Sequence, residues 1–223
     1  MKIKSNIKLV NESLPPNCRL IAVSKTQPIK NLEEAYDAGQ RIFGENKVQE
    51  MEEKYQTLSK DIEWHMIGHL QTNKVKYIAS FVSLIHSVDS LKLLEEINKQ
   101  GKKLDRKIPC LLQIFIANEE TKFGFSETEV LDLMDHYPSS LTHIQINGLM
   151  GMASFTDNQD QIRKEFRGLK QLFEKIKGKG LPPTILMKEL SIGMSSDYKI
   201  AIAEGSTFVR LGTAIFGDRN NLK

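Results

Sequence analysis

The sequence predicts an α/β fold: a single (β/α)8 barrel of the TIM type, one domain over 1–223, with an extra helix at its amino end. Three observations carry this. Eight short apolar runs alternate with helix-like segments along the chain, and strict alternation of strand and helix implies a parallel sheet. Eight such units are the number that closes a barrel. No GxGxxG follows the first apolar run, which weighs against the alternative, an open doubly wound sheet built for dinucleotides. No linker, low-complexity segment or internal repeat divides the chain.

The elements read as follows, in order. Residues 3–13 alternate polar and apolar side chains at helical spacing and stop before Pro15 and Pro16, which suits a short amphipathic helix. The first strand is 18–25, rich in residues suited to a buried strand, and Pro28 ends it. A helix over 32–39 closes on Gly39. The second strand is 41–46 and a polar helix covers 47–58. The third strand is 63–69, followed by a short helix over 72–79. The fourth strand is 83–88, with Asp89 or Ser90 capping a helix over 91–102. The fifth strand is 109–117; Ser126 caps a helix over 127–136, with Glu129 completing a capping box. The sixth strand is 144–152, and the helix over 160–177 places Ile162, Phe166, Leu169, Phe173 and Ile176 on one face. The seventh strand is 190–194, after an apolar patch at 185–187; a short helix over 196–204 ends at Gly205. The eighth strand is 208–216. A barrel of this kind usually takes ~250 residues, so the last helix is expected to be missing, minimal or replaced by the amino-terminal one.

Composition narrows the function classes. Hydrophobic residues make up 40% and charged residues 26% of the chain, with a net charge of +3. Charges are interspersed, so there is no electrostatic case for nucleic acid. Cys18 and Cys110 each open an apolar run and read as reduced core thiols, which points to a cytoplasmic location. The first ten residues lack the apolar core of a signal peptide, and no apolar stretch is long enough for a membrane span.

Function in a barrel gathers at the carboxyl ends of the strands. Those ends are Lys25, Asn46, His69, Asp89, Asn118 or Lys122, Met152, the turn at 193–196 and the segment 210–217. Lys25 puts one ammonium beside a buried strand, where lost solvation lowers its pKa. A neutral amine attacks carbonyls to give Schiff bases. By itself the position more often marks a strand-end lysine with its head in water. Ser191, Gly193, Met194, Ser195 and Ser196 run into a helix start, and Gly212 with Thr213 follow the last strand. These are the places where barrels hold phosphate. An amine at one strand end and a phosphate cradle at two others call for a ligand with an aldehyde and a phosphate. Pyridoxal 5′-phosphate has both, and a phosphosugar substrate would fit too. His65 and His69 share one face of a strand-like run, a spacing that does not bring two side chains to one metal, so no metal site is expected. Met150, Met152 and Met194 read as barrel core, the last two within reach of a ring.

Six motifs then carry a family resemblance: AVSKTQP at 22–28, FGENKVQE at 43–50, WHMIGHLQTNK at 64–74, GLMGM at 148–152, LSIGMSSDY at 190–198 and VRLGTAIFG at 209–217. In order and over nearly the whole chain, they resemble the pyridoxal-phosphate homeostasis protein family, also called the proline-synthase co-transcribed family. Lys47 stands where an aromatic is often found and Ile192 where methionine is common. Neither is expected to contact the ring. The resemblance implies a fold like the barrel domain of alanine racemase, fold type III among pyridoxal-phosphate proteins. It implies Lys25 as the Schiff-base lysine and Arg210 facing the pyridine nitrogen. Gly212, Thr213, Ser191, Ser195 and Ser196 correspond to the phosphate cradle, and Asn46 to a residue near the cofactor.

An arginine can only donate to the ring nitrogen, which leaves the ring a weak electron sink. Racemases of this kind add a tyrosine from a second domain, and the chain stops too soon after the eighth strand to hold one. Tyr198 and Tyr77 are the tyrosines nearest to that task. The expectation is therefore a cytoplasmic, monomeric carrier or buffer of pyridoxal 5′-phosphate, without catalytic residues. It would hand the cofactor to apoenzymes and affect amino-acid and vitamin B6 pools. The competing reading is a small racemase or amino-acid lyase using Lys25 alone.

Overall fold

A computed structural model describes residues 2–117 and 123–217. The elements run α1 (Lys2–Ser13), β1 (Arg19–Val23), α2 (Ile29–Asp37), β2 (Ile42–Glu45), α3 (Val48–Thr57), β3 (Glu63–Met66), a 3-10 turn (Thr72–Lys74) leading into α4 (Val75–Ile78), and β4 (Leu84–Val88). They continue with α5 (Leu91–Lys103), β5 (Ile108–Gln113), α6 (Glu127–Asp135), β6 (Ile144–Met150), α7 (Gln159–Lys177), β7 (Ile185–Ser191), α8 (Tyr198–Ala203), β8 (Phe208–Leu211) and α9 (Thr213–Phe216). The strands pair in chain order and β8 returns to β1, which closes the expected barrel. All eight pairings are parallel.

Alternation along each strand sorts side chains into two cores. Ile21, Leu84, Leu111, Met150 and Phe208 meet inside the barrel. Their strand neighbours Leu20, Ala22, Phe43, Trp64 and Ile85 face outward into the larger core under the helices. In β1, Leu20 and Ala22 thus serve one core while Ile21 serves the other. Cys18 and Cys110 are buried free thiols, as expected, and burial pushes them up to about 11 and about 12.

Of the three forms expected for the last helix, the described residues show the minimal one, with the amino-terminal helix beside it. α9 is a single turn, and α1 packs beside it, with Asn6 Nδ2 donating to Ile215 O at 2.8 Å. Ile3, Ile7 and Val10 bury the inner face of α1.

Two strands differ most from the sequence reading. β7 is Ile185–Ser191, not 190–194: the apolar patch at 185–187 is the strand itself. Lys188 and Glu189 hide it in the sequence, and Glu189 forms an ion pair with Arg19 at 2.6 Å. β8 stops at Leu211, and residues 213–216 are helical rather than extended. The turn starts at Gly212, whose carbonyl accepts from Ile215 N and Phe216 N, both at 2.9 Å. β1, β3, β5 and β6 also end two to four residues before the expected positions. Burial carries on into the loops there: Ile114 and Ala117 are buried beyond the end of β5.

The β6–β7 register slips between Ile146 and Gly148, and Met187 opposite takes a left-handed φ of 40°. Gly148 makes this possible, with φ 153° and a carbonyl so close that an added Cβ would stand 1.8 Å from Glu189 O. Gly148→Ala is expected to cost ~3 kcal/mol or more, since neither backbone can yield without breaking the barrel ladder. Urea unfolding checks this, and a loss below ~1 kcal/mol would refute the close approach.

Candidate functional site

Lys25 sits half-buried on a sharp corner just past β1. Before it, Ser24 N donates to Gly44 O at 3.0 Å and Ser24 Oγ donates to Glu45 Oε1 at 2.6 Å. After it, Thr26 adopts φ 65°, a region a β-branched residue occupies at a cost of about 1–3 kcal/mol. Two bonds hold it there: Thr26 N donates to Glu50 Oε1 at 2.6 Å and Thr26 Oγ1 to Lys25 O at 2.6 Å. Below the corner lies a buried ion cluster. Lys54 Nζ meets Glu45 Oε1 at 2.8 Å and Glu50 Oε1 at 2.7 Å. Loss of solvent pushes the Glu45 carboxyl up, with the Lys54 charge opposing it.

Arg210 enters the barrel from β8 and is buried. Nη1 donates to Ser191 O and Ser191 Oγ, both at 2.7 Å, and Nη2 to Gly151 O at 2.9 Å. That uses three of its five N–H donors. Desolvation brings Arg210 down to about 10, with the Asp197 carboxylate acting the other way, so it stays a cation at neutral pH. Asp197 is itself buried and pushed up by desolvation; it accepts from Met194 N at 2.6 Å.

A polar chain continues from Arg210 across the barrel interior. Ser191 Oγ lies 3.0 Å from His86 Nδ1, and His86 Nε2 lies 3.0 Å from His65 Nδ1. A guanidinium can only donate, so Ser191 Oγ accepts from it, and the hydroxyl proton is assigned to the bond with His86 Nδ1. The His86 proton is then assigned to Nε2, and His65 accepts at Nδ1. Both imidazoles are neutral: desolvation brings His65 down to about 3 and holds His86 well below its ordinary value.

The two phosphate-type segments come together. Gly193 takes φ 95°, with Ala201 Cβ 2.6 Å from where a Cβ would stand, and its carbonyl accepts from Arg210 N at 2.9 Å. Ser195 Oγ accepts from Ala214 N, in the first turn of α9, at 3.5 Å. An added Cβ on Gly212 would lie 3.4 Å from Val23 O, which puts this turn directly beside the end of β1 and so beside the Lys25 corner. Ser196 and Thr213 are exposed, whereas Met194, Ser195 and Gly212 are half-buried. Asn46 is half-buried after β2, its backbone so close to Gly68 that an added Cβ would lie 2.5 Å from Asn46 O.

Ser191 is placed differently from the cradle expectation. It is wholly buried within β7, and its hydroxyl is engaged by Arg210 and His86, so in this geometry it supports the arginine. Met150 is barrel core as expected, with Met152 packed against it. His65 is inside the barrel, while His69 is exposed in the loop after β3 and pairs with Asp89 at 3.0 Å. Among the described residues no group of His, Cys, Asp and Glu could hold a metal ion. Tyr198 is half-buried at the start of α8, and Tyr77 is 42% exposed on α4. Asn118 and Lys122 lie outside the described residues. The sequence reading missed Lys54, Glu45, Glu50, His86 and Asp197. One signal was present: Glu45 is a carboxylate that directly follows the apolar residues Ile42, Phe43 and Gly44 of a strand run.

Residues 1–220 match the family described as "Alanine racemase, N-terminal domain". A relative named pyridoxal phosphate homeostasis protein, from Aquifex aeolicus, is 39% identical over 205 residues, covering 91% of this chain and 88% of its own. PipY of Synechococcus elongatus has been solved without and with PLP bound, at TM-scores of 0.91 and 0.88. It is 35% identical, and the match covers 96% of this chain and 100% of PipY. An alanine racemase of Clostridium difficile shares the fold at TM-score 0.73 and 16% identity, over 99% of this chain and 57% of its own. The chain belongs to the family of the alanine racemase N-terminal domain, among relatives named pyridoxal phosphate homeostasis proteins.

Proposed function

We propose that this chain binds pyridoxal 5′-phosphate and serves its homeostasis, as a carrier or buffer that holds the cofactor covalently on Lys25. The observation that carries the reading is one of assembly. An amine on the corner just past β1, a buried guanidinium with unused donors on β8, and a glycine- and hydroxyl-lined turn between them lie at one end of one barrel. That set fits the group. Lys25 suits its aldehyde, Arg210 its ring nitrogen, and Ser195, Ser196, Gly212 and Thr213 its phosphate. Asn46 and Met194 would lie near the group, and Ser191 orients Arg210. The names of the relatives and the PLP-bound PipY support the same reading.

When bound, the group supplies an aldehyde that condenses with a primary amine and a conjugated ring that withdraws electrons from the atom attached there. The chain's residues govern how far that goes. Arg210 can only donate, so an acceptor facing it keeps its lone pair and gains no proton. The chain from Ser191 to His65 holds the guanidinium in that attitude. A ring so treated withdraws electrons weakly, which favours holding the cofactor over turning substrates. Tyr77 and Tyr198 stand on α4 and α8, each tied into its helix surface or the outer core. The reading extends to hand-over, by a monomer, to apoenzymes that need the cofactor.

The first experiment is an absorbance spectrum of the purified chain with added pyridoxal 5′-phosphate, followed by borohydride reduction and peptide mapping. A shifted visible band and a reduced label on Lys25 are expected. A colourless chain that takes up none of the cofactor would overturn the reading. Carrier and catalyst separate in deuterium oxide: exchange at the α-carbon of amino acids should not exceed that of free cofactor. Faster exchange, lost in Lys25→Ala, would make it an enzyme.

A further inference from the structure

We propose that Lys54 is a positioning residue for Lys25. Through a buried cluster it fixes the corner on which Lys25 stands, and thereby the rate and tightness of covalent attachment. The inference rests on the reading that Lys25 carries the cofactor.

Lys54 lies on α3, on the face that buries Val48 and Met51. A helix docks on such a face with apolar side chains at least cost. An ammonium there loses its water, and a buried ion pair is commonly no better for stability than apolar packing. Yet Lys54 is 4% exposed and Glu45 is 0% exposed, and Glu45 Oε2 is buried without a hydrogen-bond partner. Stability alone does not account for this arrangement.

What the ammonium gains is direction. Its three N–H groups reach three acceptors: Ser24 O at 2.7 Å, Glu45 Oε1 at 2.8 Å and Glu50 Oε1 at 2.7 Å. Each acceptor touches the Lys25 corner. Ser24 O belongs to the residue before Lys25. Glu45 Oε1 also accepts from Ser24 Oγ. Glu50 Oε1 also accepts from Thr26 N, on the residue after it. The ammonium thus grips both neighbours of Lys25 and holds Thr26 in its left-handed conformation. Without the grip, Thr26 relaxes to an ordinary conformation, which swings the Lys25 backbone and moves its amine. Misplacement by about 1 Å can cost a reacting pair 100-fold.

The test uses the full chain as wild type, Lys54→Met, Lys54→Arg and Glu50→Ala. Attachment of pyridoxal 5′-phosphate is followed by absorbance, and its place by borohydride and peptide mapping. In the absence of cofactor, competitive acetylation reads the relative reactivity of the Lys25 amine. Thermal midpoints are recorded in parallel. Lys54→Met is expected to slow and weaken attachment about 10–100-fold, and to change Lys25 acetylation relative to the other lysines. Lys54→Arg, which keeps charge and donors, should recover part of it. Glu50→Ala cuts the Thr26 link at a half-buried side chain and should cost about 3–10-fold. Should Lys54→Met fail to fold, Glu50→Ala decides. Wild-type attachment and acetylation in either folded variant, whatever its thermal midpoint, overturns the proposal. A wild-type label that maps elsewhere than Lys25 instead overturns the reading beneath it, and the inference with it.

Discussion

Lys25→Ala is expected to leave the chain folded and to abolish the borohydride-fixed label, raising the dissociation constant for pyridoxal 5′-phosphate ~100-fold or more, or ~2.7 kcal/mol. The side chain is half-buried on a loop corner, so its removal opens no core cavity, and the thermal midpoint should move by only a few degrees. Affinity is another matter. On the proposed reading, only non-covalent contacts would remain without the amine: Arg210 at the ring nitrogen and the turn of Ser195, Gly212 and Thr213 at the phosphate. Those contacts should still give weak, reversible binding without the shifted visible band. Titration calorimetry and absorbance on the same samples separate the two parts. Wild-type affinity with a persistent band would mean that another amine carries the cofactor. Lys25 would then be the strand-end lysine that its sequence position by itself favours.

That ambiguity shows where the sequence is informative. The barrel was legible because eight apolar runs each had to bury two faces, and few other folds use such runs in strict alternation with helices. Strand ends were less so. A loop that folds back over the core stays apolar, as Ile114 and Ala117 do past β5, and apolar sequence does not reveal where ladder pairing stops. β7 is hard to place from sequence because Glu189 reads as a surface residue until Arg19, 170 positions away, is seen to pair with it. α9 was misread because its residues prolong the apolar run of β8, and only Gly212 marks the turn. The candidate site divides in the same way. Lys25, Arg210 and the Ser and Gly segments lie in local motifs, so one stretch of chain suffices to suspect them. Lys54, His86 and Asp197 matter through partners that only the closed barrel supplies.

The buried histidines give the largest expected response to pH. His65 and His86 lie 2% and 0% exposed in the barrel interior. Burial brings His65 down to about 3 from an ordinary 6.5 and holds His86 well below that value. Above pH 6.5 both are neutral in the folded and the unfolded chain, and they contribute nothing to the pH dependence. As pH falls below 6.5 the unfolded chain takes up protons at both positions and the folded chain does not. Stability therefore drops by about 1.4 kcal/mol per pH unit for His65, or about 2 kcal/mol at pH 5, and His86 adds to the loss in the same direction. The loss continues until the folded imidazoles themselves protonate, near pH 3 for His65. Glu45 and Asp197 act the other way, because burial raises their carboxyls. The histidine part is isolated by difference. In His65→Gln the amide oxygen can still accept from His86 Nε2, so the chain to Arg210 keeps its polarity while one titrating group is gone. Urea unfolding between pH 7.5 and pH 4.5 should show a slope smaller by about 1.4 kcal/mol per unit below pH 6.5 in that variant. Equal slopes would mean that His65 charges in the folded chain. The donor order that holds Arg210 toward an acceptor would then not survive mild acid, and cofactor affinity should fall over the same pH range.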